Sequence, residues 1–566
     1  MPAAGSVPEV KPTSGSGSYG RASVPLNMTR PAASAPASGA GAAGDASAAR
    51  PRAAGDAPVA GAGATAVTSD GVAPDEAGVR RRSRTKLVSV LSVVVLLALV
   101  AAVGLVVRPG PVDGWLGADA ASSPSAAPIP PEPTPTPVLA AAETGGTTPD
   151  TAAVEAALDP LVSAGALGDT VHVSVLDPAS GSVLYAKNAD VPTTPASTTK
   201  LLTAATALAA RGPAYRMVTR VVAGENPGEV VIIGAGDATM SVDENQLFPG
   251  AARLDTLAEQ VKESLGGTQA TQVFVDMSLY DGPETATGWG SGDIAEGQVA
   301  RIQPFMTNGG RIDPVHNDFG GDPRYANPAN AAGKLFAKAI DATSTSVRAT
   351  EAPQLAESGS SPAPGASAAA GTTWTPGKEL GRVSSAPLVQ IVDWMLQQSD
   401  NVLAEAVARQ VPLAAGKPAA SFENTAEAMI EKLRELGLPA DEANLYDGSG
   451  LSRNNGISPT MLVQTLALAA SGKNASLSAM FNGLPVAGWS GTLRTRFVVP
   501  SPNQTAQGIV RAKTGSLSGV NTLAGVLVTK DGRVLAFAIM AVGGANAVTA
   551  RAALDKIAAR LVACGC

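Results

Sequence analysis

Three short motifs, spread widely along a chain of 566 residues, carry side chains that could do covalent chemistry together. The first is Ser197-Thr198-Thr199-Lys200. On a helix, positions i and i+3 share a face, so Lys200 can sit beside the Ser197 hydroxyl. A serine is a poor nucleophile at neutral pH until a neighbouring base takes its proton. Lysine can be that base when burial and nearby positive charge lower its pKa. The helix start also offers free backbone N–H groups, that of Ser197 among them, to a developing oxyanion. The second motif, Ser399-Asp400-Asn401, lies in a polar break between two helical runs. Its serine can relay a proton, and its carboxamide can both donate to and accept from a peptide-like substrate. The third, Lys513-Thr514-Gly515, ends a strand-like run. Its glycine leaves space for a substrate to lie along the strand as an extra edge, and the Thr514 hydroxyl and Lys513 ammonium would meet a carboxylate. Each motif alone reads equally well as a capped helix start, a helix cap or a strand ending in a turn. Their order, each on the element the chemistry needs, makes them one signal.

The elements that must position these groups are legible from periodicity. Residues 151–165 have a helical repeat. Val171–Leu176 and Ser182–Lys187 read as strands joined by the turn Asp177-Pro178-Ala179-Ser180-Gly181, and Pro192 and Pro195 lead into a helix over Ser197–Leu208. From 216 to 380, strand-like runs (Met217–Ala223, Glu229–Ile233, Gln272–Asp276) alternate with helical ones (Leu254–Leu265, Ala329–Ala342), and 353–372 reads as a mobile Ser/Pro/Ala/Gly loop. A helix, a break and a second helix follow over 386–410. Ile509–Lys513, Thr522–Lys530 and Val534–Val542 read as strands, with a hairpin turn at Asp531-Gly532, and 547–563 as a terminal helix. Two strands early and three late, with flanking helices, predict an α/β (α+β) fold in which one antiparallel sheet is sandwiched by helices. The catalytic domain spans 149–215 and 381–563, and 216–380 is a large inserted β-rich domain.

The sequence ahead of this region is of another kind. Residues 1–79 are Ala, Gly, Ser and Pro with almost no large apolar side chain, and are expected to form a disordered cytoplasmic tail. A cationic cluster (Arg80, Arg81, Arg82, Arg84, Lys86) precedes an unbroken apolar run, Leu87–Val107. That run is long enough for a transmembrane helix, and the charge placement keeps the N-terminus cytoplasmic and the rest outside the cell membrane. A cleavable signal peptide is the rival reading, with Ala118-Asp119-Ala120 resembling a cleavage site. The length of the apolar run and of what precedes it favours an anchor. Residues 108–148 are a Pro/Ala-rich spacer.

Composition excludes several function classes. A net charge of −7 and no basic patch argue against nucleic acid as a partner. Two histidines leave no room for a multi-His metal site, so neither metal nor cofactor is expected. His172 lies in a strand and His316 in a polar loop; a Ser-His-Asp triad would need one of them. The two cysteines, Cys564 and Cys566, read as a frayed end with no catalytic consequence.

The motif set SxxK, SxN and KTG is shared by penicillin-binding proteins and serine β-lactamases. From about 150 to 560 the chain resembles the low-molecular-mass, class C penicillin-binding proteins, the D-alanyl-D-alanine carboxypeptidase/endopeptidase family. Three further segments carry the likeness: Asp447-Gly448-Ser449-Gly450-Leu451-Ser452-Arg453, Asn401-Val402-Leu403-Ala404-Glu405, and Gly234-Ala235-Gly236-Asp237-Ala238-Thr239-Met240. In the last, alanines stand where the family pattern has a Gly and a Pro. The long gap between the first two motifs also fits, since this family inserts domains there.

The resemblance implies a serine β-lactamase/penicillin-binding transpeptidase-like fold and a serine DD-peptidase acting on peptidoglycan peptide stems. Ser197 would be the nucleophile, Lys200 the base and Ser399 the proton relay, tuned by Lys513. Asn401 would grip the substrate amide, and Thr514 and Ser516, with Gly515 between them, would hold the terminal carboxylate. The N–H groups of Ser197 and Ser516 would form the oxyanion hole, and β-lactams would acylate Ser197. Asp447–Arg453 is expected to be structural, a tight turn beside the site. A β-lactamase and a non-catalytic cell-wall scaffold are the competing readings.

Overall fold

The computed structural model describes residues 145–564, except 318–320, 345–346, 356–373 and 545. The expected tail, transmembrane run and most of the spacer lie outside the described residues, as does most of the expected loop at 353–372. Among the described residues no helix is long and apolar enough to cross a membrane.

Helix α1 (Thr151–Val162) leads into strands β1 (Thr170–Leu176) and β2 (Val183–Lys187), and then helix α2 (Lys200–Arg211). A second unit follows: β3 (Val218–Ala223), β4 (Glu229–Ile233), helix α3 (Leu254–Leu265), β5 (Gln272–Asp276), helix α4 (Pro328–Ala339), β6 (Val347–Ala349) and β7 (Glu379–Ser384). The chain then forms helices α5 (Leu388–Gln398), α6 (Asn401–Ala408), α7 (Phe422–Glu435) and α8 (Pro459–Ala470). It ends with β8 (Arg511–Leu517), β9 (Val520–Val528), β10 (Val534–Val542) and helix α9 (Ala547–Ala563).

The main sheet runs β8-β9-β10-β1-β2, antiparallel throughout. Its centre is the pairing of β1 with β10, Thr170 against Val542 through Leu176 against Ala536, so early and late segments of the chain lie side by side. Strand β10 shows why helices cover both faces. Leu535, Phe537, Ile539 and Ala541 point into one core with α1 and α9, whereas Ala536, Ala538 and Met540 point into a second core with α2, α5, α7 and α8. A period of two with apolar residues at every position is the pattern of a strand buried on both sides. Helix α2 is buried at every position from Lys200 to Leu208, as befits a helix at the centre of a helical layer. This is the expected sandwich.

The inserted unit has its own sheet, β6-β5-β4-β3-β7, and its own core with α3 and α4. β4, β5 and β6 run parallel, while β3 is antiparallel to both its neighbours. Strand β7 returns to pair with β3 (Val218 against Ser384), so the unit closes at Ser384 and the sequence boundary at 380 falls within a strand. Cys564 is packed beside α9 in the core behind the main sheet, not frayed, because α9 covers that face; Cys566 lies outside the described residues.

Candidate active site

Ser197 sits in a 3₁₀ turn, Ala196–Thr199, just ahead of α2, and not on the α-helix that the periodicity predicted. With three residues per turn, i and i+3 eclipse, which brings the Lys200 Nζ to 3.0 Å from the Ser197 Oγ. The turn is held from outside: the Thr198 and Thr522 hydroxyls donate to the Pro195 carbonyl (2.7 and 2.8 Å). Ala196 takes a left-handed φ of 49°, a conformation costly for a residue with a Cβ and common at functional turns.

Lys200 is fully buried, and its Nζ also donates to the Asn401 Oδ1 (2.7 Å) and the Ser449 carbonyl (2.6 Å). Burial pushes its pKa down to about 8, against the pull of the Asp447, Glu405 and Asp400 charges. Lys513, also fully buried, donates to the Ser399 Oγ (2.8 Å) and the Thr514 carbonyl (2.7 Å). Burial, then the charge of Lys200, carries it well below the usual lysine range.

The Ser399-Asp400-Asn401 break is a helix–helix corner. Ser399 ends α5 in a left-handed conformation (φ 58°), and Asp400 caps α6 by accepting from the Leu403 N–H. The inserted unit locks this corner from the far side. Arg311 donates to Asp400 and Asp322 (2.7 Å each), and the Asn401 Nδ2 donates to the Gln298 carbonyl (3.0 Å). That second bond turns the Asn401 Oδ1 toward Lys200.

The third motif lies inside β8, not at its end, because the strand continues to Leu517 before turning into β9. Gly515 is required there: a Cβ would lie 2.1 Å from the Thr522 Oγ1 and 2.7 Å from the Pro195 carbonyl, so β8 could not approach the nucleophile turn. The Thr514 hydroxyl pairs with that of Thr492 (2.8 Å), and the Ser516 hydroxyl accepts from Arg551 (3.2 Å).

These residues meet at a cleft of about 940 Å³. Ser197, Ser399, Asn401, Thr514 and Ser516 line it; Lys200 and Lys513 are buried behind the serines they contact. Gly450, Leu451 and Arg453 line it too, so the Asp447–Arg453 segment is part of the site, and its Ser449 carbonyl touches Lys200. Sequence reasoning missed Arg311, Gln298, Thr492 and Arg551, none of which carries a local pattern. His172 pairs with the Asn188 carbonyl and His316 lies with Arg311 and Asp322, so the partner of Ser197 is a lysine and not an imidazole. Among the described residues, no group of three or more His, Cys, Asp or Glu side chains is arranged to hold a metal ion.

With serine, lysine, SxN and KTG brought to one cleft on a helix–sheet–helix sandwich, the chain falls in the class of penicillin-binding, serine β-lactamase-like proteins. The solved penicillin-binding protein 4 of Haemophilus influenzae shares the fold, with a TM-score of 0.56 at 20% identity over 72% of this chain and 98% of that one. The chain belongs to the D-Ala-D-Ala carboxypeptidase 3 (S13) family, whose model matches residues 154–361 and 326–561. Among its relatives is a carboxypeptidase of Mycobacterium tuberculosis, 37% identical over 450 residues (78% of this chain, 90% of the relative). The carboxypeptidase DacB of Mycolicibacterium smegmatis is 35% identical over 490 residues (86% and 98%).

Proposed function

We propose that this chain is a serine-type D-Ala-D-Ala carboxypeptidase that trims peptidoglycan stem peptides through an acyl-enzyme. The observation that carries the reading is the buried Lys200, with its pKa lowered to about 8, at 3.0 Å from a cleft-lining serine. The Ser197 Oγ attacks the carbonyl carbon of the penultimate D-Ala while Lys200 takes its proton. A positioned base of this kind contributes roughly 10²–10⁴ in rate. The C–N bond breaks as the Ser399 hydroxyl passes a proton to the leaving amine and is resupplied through Lys513. Water then cleaves the ester: its hydroxyl adds to the acyl carbon, its proton restores the Ser399–Lys513 pair, and the Lys200 ammonium returns its proton to the departing Ser197 oxygen. The N–H groups of Ser197 and Ser516 stabilise the oxyanion; Thr514 and Ser516, on either side of Gly515, bind the terminal carboxylate, and Asn401 holds the substrate amide. A cleft open at 940 Å³ also suits cross-linked peptides, so endopeptidase cleavage belongs to the same proposal.

The domain at 149–215 and 381–563 would work outside the cell membrane, held by the Leu87–Val107 helix and the 108–148 spacer. The apolar run and the cationic cluster before it support this topology.

The test is intact mass after incubation with benzylpenicillin, on the native chain and on Ser197→Ala, together with D-alanine release from a peptide ending in D-Ala-D-Ala. A single adduct on the native chain alone, with D-alanine release, is expected. Rapid drug loss without an adduct would make the chain a β-lactamase. Neither adduct nor drug loss would leave a wall scaffold.

A further inference from the structure

Glu405 and the Asp447–Arg453 segment have no task in the scheme above, yet the structure ties both to Lys200. A neutral lysine amine has two hydrogens and one lone pair. Of the three oxygens around the Lys200 Nζ, the Asn401 Oδ1 (2.7 Å) and the Ser449 carbonyl (2.6 Å) can only accept, whereas the Ser197 hydroxyl at 3.0 Å can donate. Both amine hydrogens are therefore taken by acceptors, and the lone pair is left facing the serine proton. The direction of the base depends on where the Ser449 carbonyl is held.

Two buried carboxylates hold it. The Glu405 Oε1 accepts from the Ser449 N–H (2.8 Å) and the Gly448 N–H (3.1 Å), and its Oε2 accepts from the Gly448 N–H (3.2 Å). The Asp447 Oδ1 accepts from the Gly450 N–H and the Asn455 Nδ2 (2.8 and 2.7 Å). Its Oδ2 accepts from the Ser452 N–H, the Ser449 hydroxyl and the Trp289 Nε1 (2.7, 3.1 and 2.8 Å). Gly450, at φ +80°, lets this loop close on the nucleophile turn: a Cβ there would be 1.9 Å from the Ala196 carbonyl. Lys200 donates to the Ser449 carbonyl, on the loop that the two carboxylates hold, and to neither carboxylate. A carboxylate in contact would hold the amine as ammonium. Displaced by one peptide, it orients the amine and acts on it through space.

We propose that Glu405 and Asp447 are positioning residues for acylation: they fix the Ser449 carbonyl so that the Lys200 lone pair faces Ser197, and the Glu405 charge shifts upward the pH at which that amine is free. The inference rests on the reading of Lys200 as the base. The charged and titratable groups around Glu405 are Arg409 on its own helix (3.3 Å), Asp447 on the loop, Lys200 on α2 and Tyr280 in the inserted unit. Burial and Asp447 push the Glu405 carboxyl up to about 7, opposed by Arg409. Its two oxygens accept from the Ser449 and Gly448 N–H groups and from Arg409, the donor set that suits an ionised carboxylate.

The experiment measures the second-order acylation rate of the full chain by benzylpenicillin between about pH 5.5 and 9.5, for native protein, Glu405→Gln and Glu405→Asp, with circular dichroism as a check on folding. Glu405→Gln is expected to lower the alkaline plateau at least about tenfold through a slackened loop. It should also move the acid limb down by at least about half a pH unit, because an anion favouring the ammonium is gone. Glu405→Asp keeps the charge and the limb but loses plateau rate. A folded Gln variant with the native rate and limb overturns the proposal, as does one that loses rate with the limb unmoved. If the Gln variant does not fold, Glu405→Asp at the native rate overturns it and a reduced rate with a native limb supports it. Native protein that forms no adduct removes the carboxypeptidase reading as well; an adduct on Ser197 with an unmoved profile removes only this inference.

Discussion

Two groups of buried cations flank the Ser399–Asn401 corner, and they are neutralised in opposite ways. Lys200 and Lys513 are wholly buried with hydroxyl, amide and carbonyl oxygens as their hydrogen-bond partners. Arg311, only 2% exposed, lies between two carboxylates, Asp322 and Asp400, with Arg324 3.8 Å from the first. Burial is alike in the two groups, and what differs is the counter-charge. With no carboxylate in hydrogen-bond contact, desolvation carries both lysines toward the neutral form. With one, Arg311 and Arg324 hold the Asp400 carboxyl far below the carboxylate range although burial opposes them. The first arrangement keeps a group near its protonation switch, where it can exchange protons; the second removes it from chemistry and makes it a fastening. The boundary falls between neighbours, with Asp400 on the fastening side and Asn401 on the reactive side.

The sharpest way to break this contrast is to remove one cation from each group. Lys200→Met is expected to slow benzylpenicillin acylation by on the order of 10³-fold while leaving the urea midpoint close to native, since a costly buried amine is replaced by an apolar chain of similar length. A large fall in midpoint would show Lys200 to be a fastening after all. Arg311→Met should do the reverse first, costing about 3–5 kcal/mol in urea unfolding because Asp322 and Asp400 are left charged and buried. Adding Asp322→Asn and Asp400→Asn should recover most of that loss. A single variant as stable as the native chain would end the comparison.

The pH dependence of stability should have the same sign for the two groups but fall in different windows. The folded-state pKa of Lys200, about 8, lies below the unfolded value of 10.5, so the unfolded chain binds the extra proton between those pH values. Stability then rises with pH across that window, by up to about 1.4 kcal/mol per unit for this group. The folded-state pKa of Asp400 is depressed, so its contribution is present above about pH 4 and is lost as pH falls toward its folded value. Urea midpoints at several pH values, for native protein and Lys200→Met, separate the two, and an alkaline rise that survives in the Met variant would assign it elsewhere. The smallest effect belongs to a pair that is not buried. Lys262 and Asp341 are 49% and 75% exposed, and Lys262→Ala should change stability by no more than about 0.5 kcal/mol.

The reactive group was largely legible in the sequence, whereas the fastening group was not. The spacing of Ser197 and Lys200 fixes their contact in either helix type, so even the mistaken α-helix led to the right pair. The late strands announced themselves as near-continuous apolar runs, though β8 was cut short at Lys513 because its continuation depends on pairing with β9 and not on side-chain pattern. Arg311 with Asp400, and Ser449 with Lys200, are joined across long stretches of chain. No local period encodes such pairs. Strand β7 was missed for a related reason: Glu-Leu-Gly-Arg-Val-Ser has weak alternation and exists as a strand by virtue of β3.

The pairing of β1 with β10 also bears on when the molecule can act. Ser197 and Lys200 are synthesised early, but the strand bearing Lys513 and the neighbour that completes the sheet beside β1 come last. A nascent chain carrying only the first half holds a serine and an amine with no wall to bury them and no floor beneath. A chain truncated before those strands is expected to be inert, and the complete site forms only when the final hairpin pairs.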